Sequence, residues 1–432
     1  MSGMDRVDPR VVCLWVAFLV VLSSSLSPGQ EPRTAMRVVP SGSAIPAEYF
    51  GVVCCLNPED PLPRIPAKSW LTSKATWDRV EPSKARWTFA VPDQEVAAAL
   101  QENVDIGLIL GRTAPWASAR PNETAYDAWD KPGIRAEAAN LDDWRNYVRT
   151  VVTRYRGKVH TYALWNEPNQ KASFTGSLDA MVALDKAAYA TIKAIDPSAT
   201  VISSSLSPGT NPYPYLSSFV TKAGGCTCDV IGYHFYTDIY TNAIPEKMVG
   251  MVQQLRSVLA TYGLQDKPIW NTEAGYAIAN VPGARQTFAA FYAHVPVLSG
   301  PESQNMIARA YVIGWAIGLQ RFYWYAWDEA HYGLADDRGR TDKPATDVYR
   351  TTARWLIGSR MLSCERSQAG TWRVHIEPRP NQSTWIVWND TGDQPFAVPG
   401  SWNIRTIVDI NDSPKGMSPT IRIGPSPLFL SQ

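Results

Sequence analysis

The chain has 432 residues, a formal net charge of +1 and no long basic or acidic run, a balance that gives no footing to nucleic acid or a charged membrane surface as partner. Its length exceeds one small core and suits one large domain plus a small one. Aromatic residues make up 11% of the chain and include 17 Trp, whose flat apolar rings serve core packing or stacking on sugar rings.

In chain order, Arg6 and Arg10 precede an apolar run, Val11 to Leu22, followed by the small polar tract 23–29. Twelve apolar residues are short against the ~20 a bilayer span needs, so residues 1–30 read as an export signal. The expectation is a secreted or periplasmic protein with no stable membrane insertion after signal cleavage. No clear Ala-x-Ala site is present, and an uncleaved anchor is the alternative. Cys13 would leave with the signal. Cys54, Cys55, Cys226, Cys228 and Cys364 remain, an odd number, which leaves at least one thiol unpaired or paired between chains. They read as structural thiols or one or two disulfides of undetermined pairing. Cys226 and Cys228 lack the two-residue gap of common metal or redox pairs, and no metal or cofactor is expected.

From about residue 47 to 360, short apolar runs alternate with amphipathic stretches, the pattern of strand–helix units around a parallel sheet. Strands are predicted at 49–56, loosely before Trp77, at 105–110, 162–165, 200–204, 230–236, 268–272 and 321–327. Helices are predicted between them, among others at 142–155, where Trp144, Val148, Val151, Val152 and Tyr155 form one stripe. Another runs from 178 to 195 and stops at Asp196–Pro197. Further helices are expected at 307–319 and 347–357. Eight such units make an α/β fold, an (α/β)8 TIM barrel over 31–360. Beyond 361, runs at 372–377, 383–388, 402–408 and 420–424 read as strands separated by turn residues. Residues 361–432 are therefore expected to form a small C-terminal all-β, β-sandwich-like appendage.

Two glutamates stand at the ends of predicted strands: Glu167 in Leu-Trp-Asn-Glu-Pro-Asn and Glu273 in Ile-Trp-Asn-Thr-Glu-Ala. Barrel chemistry sits at the carboxyl ends of the strands. A carboxylate pair there fits glycosidic bond cleavage, in which one group protonates the leaving oxygen and the other meets the charge forming at the sugar carbon. His234 and Tyr236 lie two apart on the sixth strand and so share a face. Arg112 and Trp116 follow the third strand and are candidates to line the cleft.

The stretches 162–169, 188–197, 229–236, 271–275 and 324–328 resemble clan A retaining glycoside hydrolases, with family 39 and its relatives the nearer context. The resemblance spans about 49 to 357. It implies Glu167 as general acid/base, Glu273 as nucleophile and Asn166 as partner of the sugar 2-hydroxyl. It further implies that His234 and Tyr236 orient Glu273 and the sugar, and that Trp327 floors the cleavage subsite while Trp324 packs. One departure stands out: the arginine that relatives carry on the second strand is missing, and Lys68 or Lys74 is the available replacement, without the bidentate fork of arginine. The implied function is a retaining glycoside hydrolase acting on oligo- or polysaccharides, β-xylosidase-like or cutting exopolysaccharides. The alternatives are a non-catalytic carbohydrate-binding barrel, a family 5-like endoglucanase or a transglycosylase. The partner is a carbohydrate substrate; oligomeric state is not legible.

Overall fold

The computed structural model describes residues 34–38, 40–53, 61–126, 130–237, 244–279, 295–336 and 338–432. The expected export signal, Cys13, Cys54 and Cys55 lie outside the described residues. The chain opens on β1 (Thr34–Val38) and enters the barrel with β2 (Phe50–Val53), β3 (Ser69–Thr72), α1 (Trp77–Val80), α2 (Ala90–Gln101) and β4 (Asp105–Ile109). It continues through α3 (Leu141–Tyr155), β5 (Thr161–Ala163), α4 (Leu178–Ile195), β6 (Thr200–Ile202), α5 (Pro212–Ala223) and β7 (Ile231–His234). α6 (Met248–Ala260), β8 (Ile269–Ala274), α7 (Gly300–Ala316), β9 (Leu319–Trp324) and α8 (Pro344–Leu356) complete it.

The eight strands run parallel in the order β6-β5-β4-β3-β2-β9-β8-β7. Parallel bridges Ile202↔Val230 and Leu206↔Tyr233 close β6 toward β7, giving the expected TIM barrel. Local chemistry sets the helix ends. The Asn140 side chain accepts from the Asp142 N–H at the start of α3, Ser177 accepts from the Ala180 N–H at the start of α4, and Ser299 with Glu302 forms a capping box on α7, so N–H groups left open by the first turn are satisfied. Inside the barrel, Val53, Leu71, Ile109, Ala163, Ile202 and Trp270 form one packed cluster. Gly51 leaves room there, since a Cβ would stand 2.8 Å from the Tyr323 ring. The larger core fills the space between strands and helices.

The remaining strands are β10 (Arg360–Ser367), β11 (Thr371–Arg379), β12 (Gln382–Asn389), β13 (Gln394–Ala397), β14 (Thr406–Asp409), β15 (Thr420–Ile423) and β16 (Leu428–Ser431). Five of them join β1 in the sheet β1-β10-β11-β12-β16-β14, and β13 pairs with β15. Thr34–Val38, expected within the barrel segment, is instead an antiparallel edge strand on β10. Trp402, the first residue of the expected strand 402–408, instead ends a short 3-10 turn, Gly400–Trp402, and β14 begins only at Thr406. Trp372, Val374, Ile386 and Trp388 join the barrel's own core, so the appended sheet is fused to the barrel wall by a continuous apolar layer. Glu246 ties the two polar-wise: Arg309 Nε of α7 donates to it at 2.7 Å and the Trp388 indole at 3.0 Å. Cys226 and Cys228 form a disulfide, and Cys364 is a buried free thiol.

Candidate active site

β5 ends at Ala163, but the chain stays extended far enough for Asn166 to bridge Ser205. The Glu167 N–H then donates to Ser205 O at 2.8 Å. Glu167 takes the left-handed backbone conformation, φ +46°, which a non-glycine residue adopts at a cost and which clusters at functional sites. Glu273 stands within β8 at its carboxyl end. His234 closes β7, and Tyr236 follows two residues later with its ring centroid 6.3 Å from the imidazole.

Four side chains meet here. His234 Nδ1 lies 2.8 Å from Glu167 Oε1 and 3.9 Å from Glu273 Oε1. The Tyr236 hydroxyl donates to Glu273 Oε1 at 2.7 Å. One oxygen from each glutamate and the imidazole nitrogen all fall within 4.8 Å of one another. That set is also the group with metal-ligand composition among the described residues; its shortest edge is occupied by the imidazole–carboxyl hydrogen bond.

Charge is distributed unevenly. Burial pushes the Glu167 carboxyl up, but the hydrogen bond and charge of His234, with a hydrogen bond from Ser207, bring it below its ordinary range. Burial pushes Glu273 up; the His234 charge and the Tyr236 hydroxyl oppose this, the Glu167 charge adds to it, and the net direction is upward. Burial alone would discharge His234, yet Glu273 and Glu167 raise it above the ordinary histidine value. The Glu273 charge therefore does not set the Glu167 proton by itself. In the sugar-free site the imidazole 2.8 Å away outweighs it, and the three groups titrate together.

A cavity of about 220 Å³ opens on the Glu273 side, lined among others by Asn166, Trp165, Arg112, Arg135, Tyr325 and Glu273. A larger concavity, between α3 and α4, is lined by Leu141, Arg145, Lys186 and Ala190, without a carboxylate, and offers no comparable chemistry. Arg112 and Asn166 thus reach the cavity as expected. Trp116 is not among its lining residues; its indole donates to Glu81 O at 2.9 Å and its ring meets Trp77 edge-on. Trp327 is fully buried and donates to Pro61 O at 3.0 Å, with the Arg64 guanidinium 5.4 Å above its ring. It does not floor the cavity. Tyr325, on the same alternation but nearer the end of β9, lines it instead. Trp324 is buried with its indole on Tyr332 O, as packing requires.

Neither lysine replaces the missing arginine in the cavity. Lys68 reaches Glu102 O at 2.9 Å from an exposed position. Lys74 is buried, and its charge partly offsets the burial that lifts Glu95 to about 7. The lining residues from that region are Ser73 and Thr76. Ser207, Arg135 and Tyr325 were missed in the sequence. Only Tyr325 left a signal, its two-residue spacing from Trp327.

A family model described as glycosyl hydrolase catalytic core matches residues 134–317, a span that includes Asn166, Glu167, His234, Tyr236 and Glu273. A second, glycosyl hydrolase family 10, matches residues 72–192. An endo-1,4-beta-xylanase of Agaricus bisporus is 31% identical over 103 residues, which is 24% of this chain and 28% of that protein. Matched stretches span between 10% and 28% of the length of the curated xylanases. A family 39 glycoside hydrolase from Bacteroides cellulosilyticus WH2 superposes with a TM-score of 0.62 at 17% identity, covering 84% of this chain and 75% of that one. A monomeric beta-xylosidase from Caulobacter crescentus CB15 gives 0.58 at 15% identity, with 84% and 89% covered. At such identities the structural likeness establishes the barrel. The matched segments resemble glycosyl hydrolase catalytic modules and parts of endo-xylanases, and they lie in a barrel that the structural neighbours share.

Proposed function

We propose that this chain is a retaining glycosidase in which Glu273 attacks the anomeric carbon and Glu167 serves as acid and then base, acting on xylan-type or related oligo- and polysaccharides. The observation that carries the reading is the carboxylate pair at the ends of β5 and β8, with oxygens within 4.8 Å and one imidazole between them. Carboxyl groups about 5–5.5 Å apart suit a covalent glycosyl-enzyme, whereas an inverting pair needs roughly 6.5–9.5 Å to admit water.

The proton for the leaving oxygen resides on the Glu167–His234 pair. A single proton bridges Nδ1 and Oε1 across 2.8 Å. When a sugar ring displaces water, the lower local dielectric favours the neutral arrangement, imidazole plus carboxylic acid, over the ion pair. Glu167 then donates to the departing oxygen. Glu273, ionised, closes on the carbon, and its charge is extinguished in the ester. Water, with Glu167 as base, then attacks the anomeric carbon, and its bond to Glu273 breaks. Tyr236 holds Glu273 Oε1, leaving the other carboxylate oxygen for attack.

Export through the apolar segment Val11 to Leu22 belongs to the same proposal, since polymeric sugars are met outside the cell. Proton NMR of the first-formed product anomer tests the mechanism. Retention is the expected result, and inversion removes Glu273 as nucleophile.

A further inference from the structure

We infer that the catalytic cavity carries a subsite for an acidic sugar, in which Arg135 and Arg112 receive the carboxylate of a uronic acid residue beside the bond that is cut. The inference rests on the glycosidase reading and adds a substrate class to it.

Both guanidinium-bearing residues line the cavity that holds Asn166 and Glu273. Arg135 is only 9% exposed. Its donors go to backbone carbonyls: Thr124 O at 2.9 Å, Ala172 O at 3.4 Å and Lys171 O at 3.5 Å. Among the described residues no carboxylate lies within ion-pair distance of it, and the exposed Tyr126 ring covers its guanidinium at 5.0 Å. Taking a cation out of water with neutral partners alone is costly, and an incoming anion offsets that cost. Arg112, in the left-handed conformation at φ +49°, spends one nitrogen on Asp130 at 2.8 Å and keeps 41% of its side chain exposed. The fork leaves further donors for a planar carboxylate.

The catalytic carboxylates do not use these charges. Glu167 answers to His234 and Ser207, and Glu273 to His234, Glu167 and Tyr236. An acidic sugar beside two glutamates meets repulsion, and two arginines on the cavity wall are the countercharge it needs. A neutral sugar leaves the Arg135 charge without an ionic partner.

The test is calorimetric binding to the Glu273→Gln full chain. The ligands are a neutral xylo-oligosaccharide and the same oligosaccharide bearing one glucuronic acid residue. The uronate form is expected to bind about tenfold tighter or more at low salt, with the preference shrinking as salt rises. Added Arg112→Gln or Arg135→Lys should cut the preference to about twofold or less, since lysine lacks the fork. Equal affinity of the parent for both sugars overturns the subsite, as does a preference that survives both substitutions. The salt dependence of the parent needs no arginine substitution and so decides the matter even where one unfolds the chain. Turnover of both sugars by the unsubstituted chain is scored separately. Turnover without uronate preference removes the subsite and leaves the glycosidase. Uronate preference without turnover of either sugar keeps the subsite and removes the glycosidase.

Discussion

His234 Nδ1 stands 2.8 Å from Glu167 Oε1, which makes the imidazole part of the proposed acid rather than a bystander to it. The same ring lowers the proton affinity of both glutamates. In His234→Gln that influence is gone, and both carboxyls rise. The acid limb of kcat/KM reports ionisation of Glu273 in the free enzyme, so it should move to higher pH in the variant. A full pH profile of kcat/KM measures this. An acid limb that stays in place or moves down removes His234 from the charge balance of the site.

Tyr236 donates to Glu273 Oε1 at 2.7 Å, and hydrogen bonds to charged groups contribute about 1.5–3 kcal/mol. Tyr236→Phe should slow glycosyl-enzyme formation about 10- to 100-fold, one decade per 1.36 kcal/mol. KM should change little, because the hydroxyl is turned to Glu273. Pre-steady-state release of the leaving group separates the two steps. A variant that loses substrate affinity at undiminished rate assigns the tyrosine to sugar binding instead.

Much of this was legible before the structure. Barrel strands alternate with helices at a period the sequence exposes, and Glu167, Glu273 and His234 each fall at the end of an apolar run. What stayed hidden depends on where the chain goes after a strand. Trp327 shares an alternation with Tyr325, yet β9 ends at Trp324. The following turn carries Trp327 into the wall against Pro61 and Arg64. Arg135 lies in a long connection with no period at all, so nothing in the sequence brings it to the cavity. Thr34–Val38 pairs with β10, more than 300 residues on, and a single edge strand has no local signal that names its partner.

Glu246 joins barrel and appended sheet through Arg309 and the Trp388 indole, with its side chain 8% exposed and that of Arg309 4%. Removing one partner of a buried pair leaves the other charge stranded and costs about 3–5 kcal/mol. Glu246→Ala should therefore lose stability on that scale. Because the apolar layer is continuous across the junction, urea unfolding should remain one transition at lower midpoint. The double variant Glu246→Leu with Arg309→Met should recover much of the loss, since no charge is left without a partner. Two separate transitions in the parent chain contradict the fused core.

The roles of the two glutamates divide under azide rescue. Glu273→Ala removes the nucleophile and leaves space at the anomeric carbon on the face it attacked. Turnover should vanish, and azide entering that space should give a glycosyl azide of inverted configuration. Glu167→Ala removes proton donation only. An aryl glycoside with a good leaving group needs little of it, so its glycosyl-enzyme still forms and accumulates, because the base for water is gone. Azide needs no base, so it should attack that intermediate and give product of retained configuration. Neighbouring charge sharpens the contrast. With Glu167 gone, Glu273 loses the negative charge that helps raise it, and the first step should proceed at lower pH than in the parent. Chromatography of the azide products with anomeric coupling constants reads both outcomes. Exchanged configurations reverse the assignment, with Glu167 as nucleophile and Glu273 as acid.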